Sequence, residues 1–125
     1  TMPYMFLSLG FFILALGVIL GAFGAHGLEN SLSETQFTIF KTAVDYQYYA
    51  GIWIVLMGLI RLPKKNMGLS NSPLYLCILG WLLFSGSLYT YLIFHSTILV
   101  MITPIGGVLL FSSLLLETWV NYKNR

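Results

Sequence analysis

Apolar residues fall into four long blocks along this 125-residue chain, and most charged residues stand in the gaps between the blocks. The blocks cover about residues 3–25, 44–60, 74–94 and 104–120. About twenty apolar residues in a helix cross the hydrocarbon core of a bilayer, and none of the blocks shows the alternating polarity of a barrel strand. The pattern therefore predicts an all-α membrane protein, with residues 1–125 forming one bundle of four transmembrane helices.

The connections between the blocks predict where helices begin. Ser33 followed by Gln36 fits a capping box, which predicts a short helix over about 33–42 that lies in the membrane interface or extends the second span. Thr103 directly before Pro104 fits an N-cap with proline at the first helical position. The last helix is therefore predicted to begin there, after a short apolar connection at the membrane surface.

The positive charges predict the orientation of the four spans. An even number of spans places both termini on one side of the membrane, together with the connection between the second and third spans. That side holds five of the six basic residues, namely Arg61, Lys64, Lys65, Lys123 and Arg125, whereas Lys41 lies on the other side. Cytoplasmic loops carry an excess of Lys and Arg, so both termini are predicted to be cytoplasmic.

Composition narrows the classes of function. The sequence is 58% hydrophobic and only 8% charged, whereas soluble domains carry about 25% charged residues. Its net charge of +2 comes with no basic face that could hold phosphates along a nucleic acid, so no nucleic-acid partner is expected. The single cysteine, Cys77, excludes an intrachain disulfide framework and is interpreted as a small packing residue.

Small residues recur four or seven positions apart within the blocks. This spacing favours close backbone contact between membrane helices, either within the chain or with a second protein. The residues are Gly10, Gly17, Gly21, Gly24, Gly51, Gly58, Gly80, Ser87, Gly106 and Ser113. We predict that they line helix contacts.

Four segments, in order, resemble one known family. They are GAFGAHGL at 21–28, TAVDYQYY at 42–49, FSGSLY at 84–89 and ITPIGG at 102–107. Over nearly its whole length the chain is similar to domain-of-unknown-function family 423, also called transmembrane protein 256-like. The resemblance implies a four-helix protein of bacterial inner membranes, with relatives in mitochondria and no assigned activity. The family often has a histidine after the tyrosine-rich segment, where this chain has Ala50, so the resemblance does not extend to a role that needs it.

A group of polar residues lies near one end of the first two spans. His26 and Asp45 are ionisable, and Thr42, Tyr46 and Gln47 lie beside Asp45 on the second span. Ionisable groups inside a membrane are functional candidates, and polar side chains can bond across helices. His26 is interpreted either as a proton relay or ligand contact, or as a structural histidine. Asp45 is interpreted either as the partner of His26 or Lys41, or as a solvated charge at the helix end.

No residue pattern indicates catalysis, a metal or a cofactor. Tyrosines near the span ends fit an interfacial aromatic belt better than a quinone or haem pocket, and His26 with His95 is weak evidence for haem ligands. The sequence has no lipase-type serine motif, phosphate-binding loop or zinc-protease motif. We also expect no charge in the middle of a span, and no enzyme activity.

Two functions remain as hypotheses. The first is a non-catalytic scaffold or accessory subunit that packs in the lipid bilayer against itself or against other membrane proteins. The second is a channel or transporter subunit for a proton or small solute, lined by the polar group around His26 and Asp45. Either would be a multi-pass protein of the bacterial plasma or inner membrane, with the mitochondrial inner membrane as the alternative.

Overall fold

The computed structural model describes residues 2–62 and 68–124, and this part of the chain forms four helices without any strand. We label them α1 (Met2–Leu28), α2 (Glu34–Leu59), α3 (Ser72–Phe94) and α4 (Thr97–Lys123). The all-helical class predicted from the sequence is confirmed. Lys64, Lys65 and Arg125, which belong to the predicted basic side, lie outside the described residues.

Helix α1 contains a π-helical turn at Leu20–Gly24, between two α-helical parts. In such a turn the backbone hydrogen bonds reach one residue further than in an α-helix, and π-helical turns are frequent at functional sites. The helix continues past the predicted end at residue 25 and ends at Leu28. The turn therefore lies in the last third of α1, where the helix approaches α2.

Helix α2 begins with the capping box that the sequence indicates. The Ser33 hydroxyl accepts a hydrogen bond from the Gln36 N–H, and the Gln36 side chain accepts one from the Ser33 N–H, both at 3.1 Å. From Glu34 the helix runs without a break to Leu59. Of the two alternatives for residues 33–42, the structure has the extension of the second helix and no separate short helix, because the helical backbone is not interrupted before the apolar part begins.

The connection between α3 and α4 is shorter than predicted. His95 ends α3 in the left-handed conformation, with a φ of 58°, and α4 begins at Thr97. The predicted start at Thr103 and Pro104 is wrong, because the chain reverses within two residues and the helix begins about two turns earlier. Pro104 lies inside α4, where its missing N–H removes one helical hydrogen bond.

Neighbouring helices in the chain pack antiparallel, α1 on α2, α2 on α3 and α3 on α4. Apolar residues from all four helices form the core, namely Phe6, Ile13, Ala50, Ile54, Met57, Leu74, Cys77 and Leu110. Helix α2 packs against both α1 and α3 and has ten buried residues, more than any other helix.

The structure places the small residues of α1 and α2 where these helices meet. A Cβ added at Gly10 would lie 3.1 Å from the Gly51 carbonyl oxygen, so the two backbones are in close contact. Added Cβ atoms would also meet side chains of the opposite helix at 3.2 Å or less at Gly17, Gly21, Gly24, Gly51 and Gly58. These glycines serve packing within the chain.

The small residues of α3 and α4 meet in the same way. A Cβ added at Gly80 would lie 3.1 Å from the Gly106 carbonyl oxygen. The Ser87 and Thr103 hydroxyls lie 2.6 Å apart, and the Ser113 hydroxyl donates to a backbone carbonyl of α3 at 2.7 Å. Close backbone approach and hydroxyl hydrogen bonds thus join α3 to α4.

Three of the helices, α1, α3 and α4, are long and apolar enough to cross a membrane. Helix α2 has 26 residues, which is a sufficient length, but it includes Lys41, Asp45 and Gln47 and is less apolar. These polar residues lie in the part of α2 that is nearest to the π-helical turn of α1.

Candidate binding cleft between helices α1 and α2

A cleft of about 420 Å³ lies between the end of α1 and the beginning of α2, and we call it the α1–α2 cleft. Its lining combines small, charged and aromatic residues, namely Gly21, Ala25, His26, Glu29, Phe37, Phe40, Lys41, Val44, Asp45 and Tyr48. Ligand sites are typically clefts of about 300–1,000 Å³ with a few convergent polar groups. The cleft is therefore the candidate functional site.

Each wall of the cleft contributes one basic and one acidic side chain. His26 and Glu29 stand three residues apart at the end of α1, and Lys41 and Asp45 stand four residues apart on α2. Among the described residues, none of these four groups forms an ion pair within 4.0 Å. The Lys41 ammonium instead lies 5.9 Å from the centre of the Phe37 ring. All four groups are therefore available to a ligand.

Gly21 of α1 forms part of the cleft wall opposite Tyr48. It lies in the π-helical turn, and an added Cβ would lie 2.7 Å from the tyrosine hydroxyl oxygen. That hydroxyl donates a hydrogen bond to the Gly17 carbonyl at 2.8 Å, which fixes the ring against α1. A side chain at position 21 would therefore displace Tyr48 or fill part of the cleft.

Gln47 lies in the core rather than in the wall of the cleft. Its side chain is 1% exposed. The Nε2 atom donates to the Ile13 carbonyl of α1 at 2.9 Å, and the Oε1 atom accepts from the Tyr89 hydroxyl of α3 at 2.7 Å. Gln47 thus joins three helices through one buried and one partly buried hydrogen bond.

The polar group named from the sequence is divided by the structure. His26 and Asp45 line the cleft together, with Glu29 and Lys41 as two further charged groups that the sequence analysis did not include. Glu29 stands three residues after His26, and Lys41 stands four residues before Asp45. Residues three or four apart share one face of a helix, so this spacing could have indicated both residues from the sequence.

The remaining members of that group point elsewhere. The Tyr46 ring packs against Phe84 of α3, with 4.3 Å between the ring centroids. The Thr42 hydroxyl donates to the Thr38 carbonyl of its own helix at 3.0 Å. Neighbouring positions on an α-helix point about 100° apart, so adjacent polar residues on α2 do not share one surface.

Arg61 and Glu117 form a second polar site, at the opposite end of the molecule. Their side chains make two contacts, Nη1 to Oε2 at 2.7 Å and Nη2 to Oε1 at 2.6 Å, and are 3% and 14% exposed. Arg61 also donates to the Ser70 and Met57 carbonyls. Glu117 lies near the end of the predicted fourth span rather than in its middle, and its partner Arg61 stands 56 positions away in the chain.

In the part of the chain that the structure describes, no three His, Cys, Asp or Glu side chains are placed so that they could hold a metal ion. His26 lies in the cleft, whereas His95 is the C-cap of α3 with its ring 6.2 Å from that of Tyr91. Cys77 is buried between α2 and α3, and its sulfur lies 3.9 Å from the Ala50 carbonyl oxygen.

Comparison with known proteins gives the family. The family model described as a protein of unknown function, DUF423, matches residues 20–107. The chain belongs to the DUF423 family. The matched region of this DUF423 protein contains the π-helical turn and the whole lining of the α1–α2 cleft.

Relatives of this DUF423 protein come from several bacteria. It is 38% identical over 120 residues to a UPF0382 membrane protein of Staphylococcus haemolyticus, covering 95% of this chain and 96% of the relative. UPF0382 membrane proteins of Bacillus subtilis and Haemophilus influenzae are 36% and 34% identical, covering 82% and 93% of this chain and 84% and 89% of the relatives. No solved structure matches. The DUF423 protein is thus an integral protein of a bacterial membrane.

Proposed function

We propose that this DUF423 protein is a non-catalytic accessory protein that acts by binding another membrane component in the α1–α2 cleft. One observation carries the proposal, namely that His26 and three charged side chains, Glu29, Lys41 and Asp45, line the cleft without an ion-pair partner within 4.0 Å among the described residues. The polar groups of Gln47 and Arg61, by contrast, are satisfied within the chain. The cleft charges are therefore the groups best suited to an external ligand.

The position of the possible nucleophiles supports binding rather than catalysis. The Ser85 hydroxyl donates to the Ala43 carbonyl at 2.8 Å in the core, and Cys77 is fully buried. Tyr48 carries the hydroxyl that lines the cleft, and this group donates to the Gly17 carbonyl. A nucleophile needs an adjacent base that takes its proton, and none of these groups has that arrangement.

An apolar layer supports an accessory role over a conducting one. Between Gln47 and Arg61 the core is formed by residues such as Ile54, Leu74 and Cys77, each 0% exposed. Gln47 and Arg61 stand fourteen positions apart, which corresponds to about 21 Å along a helix. The apolar layer therefore separates the polar groups at the two ends of the molecule. A proton or solute path through a single chain would have to cross it.

We also propose that α2 crosses the membrane with the other three helices and that both termini are cytoplasmic. Helix α2 runs antiparallel to α1 over its apolar half, since Gly51 packs beside Gly10 and Gly58 beside Leu7. A helix in contact with a spanning helix over this length lies at the same membrane depth. The α1–α2 cleft would then open at the outer surface.

Copurification from bacterial membranes in mild detergent tests the binding role. The tagged chain is compared with the variants His26→Ala and Asp45→Ala, and with Glu34→Ala as the control, because Glu34 is an exposed carboxylate of α2 outside the cleft. Quantitative mass spectrometry should find a lipid or protein that wild type and control retain and that both cleft variants retain about tenfold less. Equal retention by all four chains would contradict the proposal.

Reconstitution into liposomes tests the rival function. The accessory role predicts that proton and small-solute flux equals that of empty liposomes. A flux that the wild-type chain supports and that His26→Ala abolishes would favour the channel hypothesis instead.

A further inference from the structure

We propose that the component bound in the α1–α2 cleft is a phosphate group with a primary ammonium a few atoms away, as in the headgroup of an ethanolamine phospholipid. This inference rests on the proposed function and names the ligand class for the same cleft. The same chemistry exists in soluble phosphoethanolamine, and the structure favours the lipid as the source.

The charge pattern selects a ligand that carries both signs. Lys41 and His26 can donate to a phosphate, and Asp45 and Glu29 can accept from an ammonium. A purely anionic ligand would be repelled by the carboxylates of Asp45 and Glu29, and a purely cationic ligand would be repelled by the Lys41 ammonium. A zwitterion satisfies all four groups, because each wall of the cleft presents one basic and one acidic side chain.

The aromatic residues favour a primary ammonium over a quaternary one. A quaternary ammonium is bound by open aromatic faces. Here the Phe40 ring is only 3% exposed, and Lys41 already lies over the Phe37 ring. A primary ammonium instead needs hydrogen-bond acceptors, which Asp45 and Glu29 supply.

The location of the cleft favours a lipid over a soluble ligand. The apolar part of α1 ends at His26, just after the π-helical turn, so the cleft lies where a membrane-spanning α1 would reach headgroup level. Beside its polar groups the cleft is also lined by apolar side chains, namely Phe37, Phe40 and Val44. An acyl chain could contact these side chains while the headgroup meets the polar groups.

Thermal unfolding of the full chain in lipid-free detergent tests the proposal. Cys77 is the single cysteine and is buried, so reaction with a thiol-specific dye reports unfolding. Short-chain phosphatidylethanolamine should raise the unfolding temperature, with an apparent affinity about tenfold higher than that of phosphatidylglycerol, phosphatidylcholine or free phosphoethanolamine. An equal response to phosphatidylglycerol or phosphatidylcholine would overturn the role of the primary ammonium, and an equal response to free phosphoethanolamine would overturn the lipid source.

Two variants locate the effect in the cleft. Lys41→Gln and Asp45→Asn should each reduce the apparent affinity for phosphatidylethanolamine about tenfold, whereas the control Glu34→Gln should leave it unchanged. Unchanged affinity in both cleft variants would overturn the site. If a variant fails to fold, the comparison of phosphatidylethanolamine with the other ligands on the wild-type chain still tests the proposed ligand class. A chain that loses its copurified component in the cleft variants but shows no lipid preference would refute this inference and leave the proposed function standing.

Discussion

Arg61 and Glu117 form a buried ion pair whose two members come from distant parts of the chain. Glu117→Gln should lower the free energy of unfolding by about 3 kcal/mol, because it leaves the Arg61 charge buried without its counterion. Reversible unfolding in mixed detergent micelles measures this change. The matched control is Glu34→Gln, which removes an exposed helix-end carboxylate and should cost less than about 1 kcal/mol. A loss at Glu117 no larger than at Glu34 would show that the pair adds little.

Gln47 and Tyr89 should be energetically coupled. In a double-mutant cycle, Gln47→Leu and Tyr89→Phe each remove the 2.7 Å hydrogen bond between these side chains, so their effects should not add. Hydrogen bonds between membrane helices contribute about 0.6–1.7 kcal/mol, which sets the expected coupling energy. Tyr75→Phe is the control, since its ring is 53% exposed and packs on Phe6. Additive effects of Gln47→Leu and Tyr89→Phe would contradict the coupling.

At the level of single residues, the sequence identified polar groups better than it identified their partners. It indicated His26 and Asp45, which the structure brings to one cleft. It also grouped Gln47 with them, although that side chain enters the core and bonds across helices. Long-range partners, such as the carbonyl of Ile13, are fixed by the helix packing and leave no local pattern.

Contact between α3 and α4 depends on the absence of a side chain at Gly106. A Cβ there would lie 2.8 Å from the Leu83 carbonyl carbon, and backbone cannot move aside as a side chain can. Gly106→Ala should therefore lower the unfolding temperature and cost about 1–3 kcal/mol of stability. Gly86→Ala on the opposing helix is the matched control, because an added Cβ there meets nothing within 4 Å. Equal effects of the two variants would exclude close backbone contact as the cause.

The start of a helix was predictable from the sequence where a side chain caps the helix by a hydrogen bond. Ser33 and Gln36 form the capping box expected from their spacing. Pro104 was misread, because proline fits both the first turn of a helix and the interior of a membrane helix whose neighbours stabilise it. The π-helical turn at Leu20–Gly24 has no sequence signature of this kind, since glycines there also suit ordinary packing.

For the whole molecule, apolar blocks and the family resemblance predicted an all-helical membrane protein, and the number of spans depends on α2. This helix is the least apolar of the four and yet has the most buried residues. Among its polar residues, Gln47 is explained by contacts within the molecule, because it bonds to both α1 and α3. A hydropathy pattern alone cannot distinguish such an enclosed helix from one that lies outside the bilayer.

Labelling of introduced cysteines decides the number of spans. With four spans, Asn124 shares a side with the N-terminus and lies opposite to Asn30, whereas a chain whose α2 does not cross would place Asn124 and Asn30 on the same side. In a Cys77→Ala background, Asn30→Cys should react with a membrane-impermeant maleimide in intact cells, and Asn124→Cys should react only after permeabilisation. The positive-inside rule gives the direction, since Lys123 lies beside Asn124. If Asn124→Cys were labelled in intact cells as fast as Asn30→Cys, α2 would not cross the membrane. The basic C-terminus would then lie at the outer surface.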